Sequence, residues 1–415
     1  MSERTKKIIF AFGFVIVSIA MGYFVYRIIF GTPIGIPTPT GDEPQIPSGT
    51  LPQANTGRPT STTGGATGLG GQLSALPPLP RLPDESGETN ENPRNTLLTS
   101  NTTQNVVPAS DNNGARFYNA DDGRFYRVNA DGTMSSIGEK QFFNVKNVDW
   151  GKTTDQTILE FPDGSNIYYD FQSKRQVQLP TQWEDFDFAP NDSQIVGKSI
   201  GSDPNNRFLF VSKPDGSEAR AIEPLGTNAE LAHSTWSPGS AIVAYADIGE
   251  EQPEGGSQVH FIGANQERLK ALNLPGHDFL PNWSPTGKQI VYSVWNLSND
   301  NKPQIWIISG EPQTLGANRR NLKLSTWADK CAWSGDTDLY CGVPQALPYN
   351  AGLNRAEFNN LPDDIYHIDL QTGTAVKVNP PEQNIPIKNP VVTADKSKLI
   401  YTDASSGRLY RFDLK

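Results

Sequence analysis

The sequence predicts an all-β protein: a seven-bladed β-propeller of four-stranded antiparallel blades, preceded by one transmembrane helix and a disordered linker. The propeller is predicted first by a recurring unit, in which an aromatic residue precedes a tight turn and a β-rich run, at spacings of 38 to 50 residues. This spacing is close to the size of a four-stranded blade. Secondly, no long helical hydrophobic pattern interrupts the units, which argues against an α/β fold.

The first element is an apolar stretch of 23 residues, 8–30, with Arg27 as its one charged residue. A helix of this length, about 34 Å, spans a hydrocarbon core of about 30 Å. Basic residues lie within 1–7, so the positive-inside rule keeps this segment in the cytoplasm. Everything after the span is then expected outside the cytoplasmic membrane, in the periplasm or at the cell surface. A cleaved signal peptide, with a small-x-small site at 18–20, is the alternative.

Residues 31–92 are predicted to form a disordered linker. Pro, Gly, Ser and Thr supply 40 of the 70 positions in 31–100, and no Phe, Tyr or Trp occurs in 31–116. Such a segment cannot bury enough apolar surface to offset the conformational entropy that it would lose on ordering.

The predicted propeller domain covers residues 93–415 and contains seven units. Two copies, 106–129 and 391–413, match each other at the ends of the domain. The other five align on the aromatic residue before the turn, namely Trp150, Phe188, Trp236, Trp283 and Trp333.

The unit around Trp283 illustrates how one blade is predicted to form. The innermost strand ends at Trp283, and the turn 284–287 (SPTG) follows, because Pro fixes φ at the second position and Gly suits the fourth. The second strand, 288–295, is apolar on both faces, as expected of a strand that neighbouring blades cover on both sides. The third strand is 303–309, and a more polar outer strand comes next.

The last unit ends at Lys415 after its third strand, so it lacks an outer strand of its own. An uncovered edge at this position would favour aggregation. The segment 95–102 (NTLLTSNT) precedes the first full unit and has strand character. We expect it to supply the missing outer strand and to close the ring.

The units resemble the WD40-like (PD40) repeats of the TolB-type propeller family, whose signature is a W/F-S-P-D-G turn followed by a β-run. The segments WSPTG and WSPGS carry the signature best, FAPND is a fair copy, and WGKTT, WSGDT and VTADK keep only the hairpin. The resemblance covers roughly residues 95–415. It implies a propeller in a bacterial protein. TolB carries an α/β domain ahead of its propeller, whereas this chain has the predicted membrane helix and linker, so a TolB-like role in an envelope-spanning complex is only one of the roles that the resemblance suggests. Because propellers host many functions, it implies little about chemistry.

Linear motifs for catalysis or metal binding are missing. There is no G-x-S-x-G elbow, and the histidines occupy four different places in the repeat without metal-ligand spacing. The sequence therefore predicts no enzyme activity, no catalytic residue, no metal and no cofactor. The net charge of −10 also argues against nucleic acid as a partner. The four histidines are His233, His260, His277 and His367.

Candidate binding residues come from the loops. The loops between second and third strands vary most in length: 201–206, 249–256, 297–302 and 344–362. They are expected on the same face as the residues that lead into the innermost strands. The longest loop carries residue types that are frequent at binding hot spots, although a disordered insertion is the alternative, and His277-Asp278 has a turn cap as its alternative. The candidates are Trp183, Asp185, His277, Asp278, Tyr349, Arg355 and Phe358.

Cys331 and Cys341 flank a predicted hairpin turn, so they should face each other across adjacent strands. In an exported domain this arrangement permits a disulfide, with a pair of buried thiols as the alternative.

The combined prediction is a non-catalytic, membrane-anchored interaction or scaffold module. It would present a propeller outside the cytoplasmic membrane and recognise a cell-envelope protein partner through its loop-rich face. The alternative is an enzyme or sensor that binds a small glycan or peptide ligand at the mouth of the propeller channel.

Overall fold

The computed structural model describes residues 94–248, 256–267, 269–378 and 384–414. These residues form seven four-stranded sheets, and every strand is antiparallel to the next. The predicted seven-bladed, all-β architecture is therefore confirmed. Within the described ranges, no helix is long and apolar enough to cross a membrane. The predicted span 8–30 and the predicted linker 31–92 lie outside those ranges.

Each blade is a meander of four strands. The strands of the first four blades are, in order, β2 (Thr103–Pro108), β3 (Gly114–Asn119), β4 (Arg124–Asn129) and β5 (Met134–Ser136); β6 (Asn147–Trp150), β7 (Gln156–Glu160), β8 (Asn166–Asp170) and β9 (Arg175–Leu179); β10 (Trp183–Phe188), β11 (Ile195–Ile200), β12 (Arg207–Ser212) and β13 (Arg220–Pro224); β14 (Ala232–Ser234), β15 (Ile242–Ala246), β16 (Gln258–Gly263) and β17 (Leu272–Asn273).

The last three blades follow the same order, except that the outer strand of the seventh blade, β1 (Asn95–Thr99), comes from the other end of the domain. Their strands are β18 (His277–Trp283), β19 (Gln289–Trp295), β20 (Pro303–Ser309) and β21 (Arg320–Asn321); β22 (Cys331–Trp333), β23 (Asp338–Pro344), β24 (Asp363–Asp369) and β25 (Thr374–Lys377); β26 (Ile387–Val392), β27 (Lys398–Asp403), β28 (Leu409–Asp413) and β1. Short 3-10 helices occupy Pro204–Asn206, Gly226–Leu231, Leu297–Asn299, Ala328–Lys330 and Arg355–Phe358.

The first strand of each blade is the innermost one. First strands of successive blades contact one another, as β2, β6, β10 and β14 do in sequence, and β22 and β2 both contact β26. This ring of first strands surrounds the central channel. The third strand predicted at 303–309 is confirmed, because β20 covers the same residues.

The hydrophobic core lies between the blades. Seven clusters of buried side chains occur among the described residues, one at each interface between neighbouring blades. The strand β19 shows the reason. Ile290 and Tyr292 belong to the cluster between the fourth and fifth blades, whereas Val291 belongs to the next cluster. Because side chains alternate along a strand, a second strand between two blades must be apolar on both faces.

The turn between the first and second strands of the fifth blade is fixed by a glycine and by a side chain from the next blade. Gly287 ends the SPTG turn with φ +74°, and its N–H donates to the carbonyl of Ser284 at 2.8 Å. A Cβ at this position would lie 2.8 Å from the backbone nitrogen of Gly239, so glycine is required. Thr286 donates its hydroxyl to Asp336 of the following blade at 2.6 Å.

The ring closes through β1. This strand pairs antiparallel with β28, for example Asn95 opposite Phe412 and Leu97 opposite Tyr410. Arg94 adds two hydrogen bonds, to the carbonyls of Asp413 at 3.0 Å and Val378 at 3.1 Å. The strand therefore occupies the outer edge that the sequence analysis assigned to 95–102, and the two ends of the domain are joined without a covalent bond.

Cys331 and Cys341 lie directly opposite each other on β22 and β23 and form a disulfide. Their Cα atoms are 4.0 Å apart, and both side chains are buried in the cluster between the fifth and sixth blades. The disulfide links the innermost strand of the sixth blade covalently to the second strand of that blade, next to the mouth of the channel.

Candidate functional site

The residues that lead into the first strands share one face of the ring with the loops between second and third strands. We call this face, with 183–185, 277–278, 296–302 and 345–362, the mouth face. Two of its predicted residues, Asp185 and Asp278, adopt left-handed backbone conformations, with φ +56° and +61°. Each lies where the strand pairing shifts register, between Glu184 and Asp187 and between His277 and Leu280. Asp tolerates this conformation better than most residues, and the resulting bulge re-aims the side chain.

Asp185 joins the third blade to the fourth. Its carboxylate accepts a hydrogen bond from the backbone N–H of Ser234 at 2.9 Å and lies 3.4 Å from Nζ of Lys198. Lys198 is itself buried and donates to the carbonyl of Ala232 at 3.1 Å. The carboxylate of Asp185 therefore stabilises the buried cation of Lys198 and accepts the hydrogen bond of the Ser234 backbone N–H at the channel wall.

Trp183, one of the predicted binding residues, is buried. Its side chain is 1% exposed, and its ring lies 3.9 Å from the ring of Phe210. It also belongs to the hydrophobic cluster between the second and third blades. Trp183 is thus a core residue, because the inward face of β10 at this position points between the blades rather than into the mouth.

His277 and Asp278 lie at the mouth beside the long loop. The His277 ring is 4.9 Å from the ring of Trp295, and Gly352 of the long loop packs on Trp295 so closely that a Cβ there would lie 2.5 Å away. Loss of water in the mouth raises the pKa of Asp278, while the positive charge of Arg355, and that of His233 when it is protonated, oppose that rise. The structure therefore brings Arg355 of the long loop within electrostatic range of Asp278, although the two residues are far apart in the sequence.

The long loop is folded. Its residues Asn350 and Gly352 donate backbone N–H groups to the carbonyls of Asp300 and Asn301 at 2.9 and 2.7 Å. The amide of Asn301 donates to the side chain of Asn350 at 2.8 Å. The interpretation as a disordered insertion is therefore wrong for residues 345–362. Their carbonyl and amide groups are held by the adjacent 296–302 loop of the fifth blade.

Arg355 is held by partners from the sixth blade. Its Nη2 donates to both carboxylate oxygens of Asp329 at 2.9 and 2.7 Å, and its guanidinium lies 5.1 Å from the Trp327 ring. Tyr349 is strongly exposed, whereas Phe358 is half-buried. Of the predicted loop residues, Arg355 is held against the sixth blade and Tyr349 faces solvent.

A carboxyl pair inside the channel was missed by sequence reasoning. Asn147 donates its side-chain amide to both oxygens of Asp149 at 3.0 and 3.1 Å and to Glu160 at 3.1 Å. Burial, followed by the neighbouring negative charge of Glu160, raises the pKa of Asp149 well above its usual range. The alternation of polar and apolar residues in NVDW is the signal that could have placed Asp149 on the channel wall, although it does not reveal that Glu160 lies beside it.

Two cavities lie between blades. One, of about 290 Å³, is between the sixth and seventh blades on the mouth face and is lined by polar and charged residues including Lys330, Arg355 and Lys388. The other, of about 270 Å³, is between the third and fourth blades and is lined mainly by apolar residues such as Leu225 and Ile262. In the part of the chain that the structure describes, no group of three or more His, Cys, Asp or Glu side chains could hold a metal ion.

No protein-family model matches the chain, and no curated protein matches it. Among solved structures, the chain is similar to an oligogalacturonate lyase in complex with manganese, with 16% identity, a TM-score of 0.55 and coverage of 77% of this chain and 93% of that one. It is also similar to the β-propeller domain of Cps50 (Swd1) from Myceliophteria thermophila, with 10% identity, a TM-score of 0.52 and coverage of 77% and 100%. These likenesses show the propeller fold.

TolB from Acinetobacter baumannii is also similar, with 10% identity, a TM-score of 0.42 and coverage of 68% of this chain and 64% of that one. A TM-score this low carries no argument, so membership of the TolB-type (PD40) family is not established.

The prediction that the chain is not an enzyme is contradicted by the lyase, because a propeller of this architecture is an enzyme. Linear motifs cannot show whether a propeller is catalytic. In a propeller, side chains from different blades come together only after the ring closes, as Asp278 of the fifth blade and Arg355 of the sixth blade do here. At 16% identity the likeness shows the fold alone, so the activity of the lyase is not assigned to this chain.

Proposed function

We propose that the chain is an interaction scaffold whose mouth face binds a partner protein of the cell envelope. In this proposal the segment 8–30 anchors it in the cytoplasmic membrane, with the propeller on the outer side. A ring of hydrogen-bonded sheets with folded loops is a rigid platform, and rigid platforms lose little conformational entropy on binding.

The observation that carries the proposal is an exposed apolar patch on the mouth face, formed by Leu297, Tyr349 and Leu353. These side chains are 78%, 62% and 53% exposed. They lie on two loops that are tied together by the hydrogen bonds from Asn350 and Gly352. Scattered exposed apolar residues are ordinary, but a cluster held in a fixed conformation and flanked by Arg355 is typical of a protein-binding surface.

Replacing the patch by the triple variant Leu297→Ser, Tyr349→Ser, Leu353→Ser is expected to reduce the yield of a specific cross-linked complex at least about tenfold. The reason is that the apolar anchors of the interface are lost while the fold, which buries none of the three side chains, is kept. The measurement is photo-cross-linking of the full-length protein in its native membrane from a probe in the long loop, followed by quantitative mass spectrometry.

Val376→Ser is the matched control. Val376 is 57% exposed on β25, the outer strand of the sixth blade, which also carries Tyr349 and Leu353. It should leave the cross-linked complex unchanged. Equal yields from the triple variant and the parent protein, at equal melting temperatures, would falsify the assignment of this patch.

The compartment is tested through the disulfide. We expect Cys331 and Cys341 to be oxidised in cells when the full chain is expressed and reduced when residues 8–30 are deleted, because the cytosol keeps thiols reduced. Rapid alkylation in intact cells followed by mass spectrometry reports the two states. Free thiols in the full-length protein, or a disulfide in both proteins, would contradict an extracytoplasmic location.

A further inference from the structure

The cavity between the sixth and seventh blades is a polar recess beside the apolar patch. Lys330 lies at the end of the 3-10 helix that precedes β22, Arg355 and Asn359 belong to the long loop, and Lys388 and Asn389 belong to β26. Its volume of about 290 Å³ corresponds to roughly ten water molecules, which is enough for a side chain or the end of a peptide.

The base of the recess carries a buried ion pair. Nζ of Lys330 donates to both oxygens of Asp363 at 2.9 and 2.7 Å, and the two side chains are 4% and 0% exposed. Asp363 also accepts the backbone N–H of Ile387 at 2.6 Å. The positive charge of Lys330 is therefore largely matched, and this pair holds the walls of the recess in place.

The wall of the recess retains unused donors. Arg355 donates to Asp329 through Nη2 and to Asn359 through Nε at 3.4 Å, which leaves the two N–H groups of Nη1. Lys388 is exposed, and in the described part of the chain it makes no ion pair and no side-chain hydrogen bond. Among the described residues, three cations (Lys330, Arg355 and Lys388) thus face two carboxylates (Asp329 and Asp363), which leaves one excess positive charge there in a protein whose net charge is −10.

We infer that this recess binds a carboxylate of the partner: the C-terminus or an acidic side chain of a peptide segment whose apolar neighbours lie on the patch. The inference rests on the proposed function for the identity of the ligand. One excess charge matches a monoanion, and the Nη1 donors of Arg355 with Nζ of Lys388 match two oxygens of a planar carboxylate. A dianion such as sulfate would meet Asp329 with no further cation to balance it.

The recess is tested directly with small probes and the full-length protein in detergent. N-acetylglycine is expected to bind, and N-acetylglycinamide, which has the same shape without the charge, is expected to bind at least about tenfold more weakly. A peptide with the same free carboxyl end, acetyl-Leu-Tyr-Gly, should bind more tightly than N-acetylglycine because its apolar residues reach the patch. Saturation-transfer NMR measures each dissociation constant.

Lys388→Gln is expected to weaken binding of N-acetylglycine about fivefold to tenfold. Lys396→Gln is the matched control. This substitution removes the same charge from the same blade, but Lys396 lies in the turn between β26 and β27, on the opposite face. It should leave the dissociation constant unchanged. Arg355→Lys keeps the charge but removes the paired donors. It should weaken the binding of N-acetylglycine without changing the weak binding of N-acetylglycinamide.

Three results would overturn the inference. Equal binding of the acid and the amide would show that charge is not recognised, and sulfate binding as tight as that of the acid would mark a general anion site. Equal binding of the peptide and N-acetylglycine would assign the recess to a free small acid rather than to a partner. None of these results depends on the cross-linking experiment, so failure here and failure of the scaffold proposal are distinguishable.

Discussion

Deleting residues 95–99 is expected to lower the free energy of unfolding by about 4 kcal/mol and the melting temperature by about 10 °C. The deletion removes β1 and its backbone pairing with β28, and it exposes the apolar side of the seventh blade that Leu98 covers. It also leaves an open sheet edge, so the variant should aggregate at concentrations where the parent protein stays monodisperse. Thermal unfolding by circular dichroism, with light scattering, measures both effects.

Leu97→Ser is the control for this deletion. Leu97 lies on the same strand but is 38% exposed and points away from the core, so its substitution should shift the melting temperature by no more than about 2 °C. If the deletion variant melts with the parent protein, ring closure by β1 does not contribute to stability and the seventh blade is held by its other contacts.

Asp363→Ala is expected to destabilise the domain by about 3–5 kcal/mol, because it leaves Lys330 as an unpaired buried cation and the N–H of Ile387 without its acceptor. Burial raises the pKa of Asp363, while the charge of Lys330 opposes that rise. The loss should appear as a lower midpoint of urea unfolding with an unchanged slope.

Asp364→Ala is the matched control, one residue along the same strand. Asp364 pairs with Lys377 at 2.9 Å nearer the surface, where the two side chains are 14% and 35% exposed, so its removal should cost about 1 kcal/mol, well below the cost of Asp363→Ala. The double variant Lys330→Met, Asp363→Leu should recover most of the stability, since it removes both charges from the interior. Equal midpoints for Asp363→Ala and Asp364→Ala would show that the buried pair contributes no more than a surface pair.

The architecture was predictable because its physical basis is local. Pro and Gly determine the turn at 284–287. The strand β19 is apolar on both faces because it lies between two blades. Since each blade repeats the same local pattern, counting the patterns yields the number of blades. The strand β1 was predictable for a related reason. The last unit lacked an outer strand, and the strand-like segment before the first unit belonged to no other blade.

The candidate site was predictable only in part. The long loop and His277-Asp278 were placed on the correct face, because the meander dictates which loops share it. The burial of Trp183 could not be predicted, since a one-residue change in register decides whether a side chain at the start of a strand points into the core or into the mouth. The carboxyl pair of Asp149 and Glu160 was missed, because the two residues lie on different strands and no linear spacing joins them.

By itself, the sequence determined the repeat, the order of strands within each blade and the way in which the ring closes, because these depend on hydrophobic periodicity and turn chemistry over short stretches. The tertiary structure alone decided which charges meet. Lys330, Arg355 and Lys388 line one recess only because the sixth and seventh blades pack side by side. Whether a charge is paired or left over depends on distances across blades, which a linear pattern does not encode.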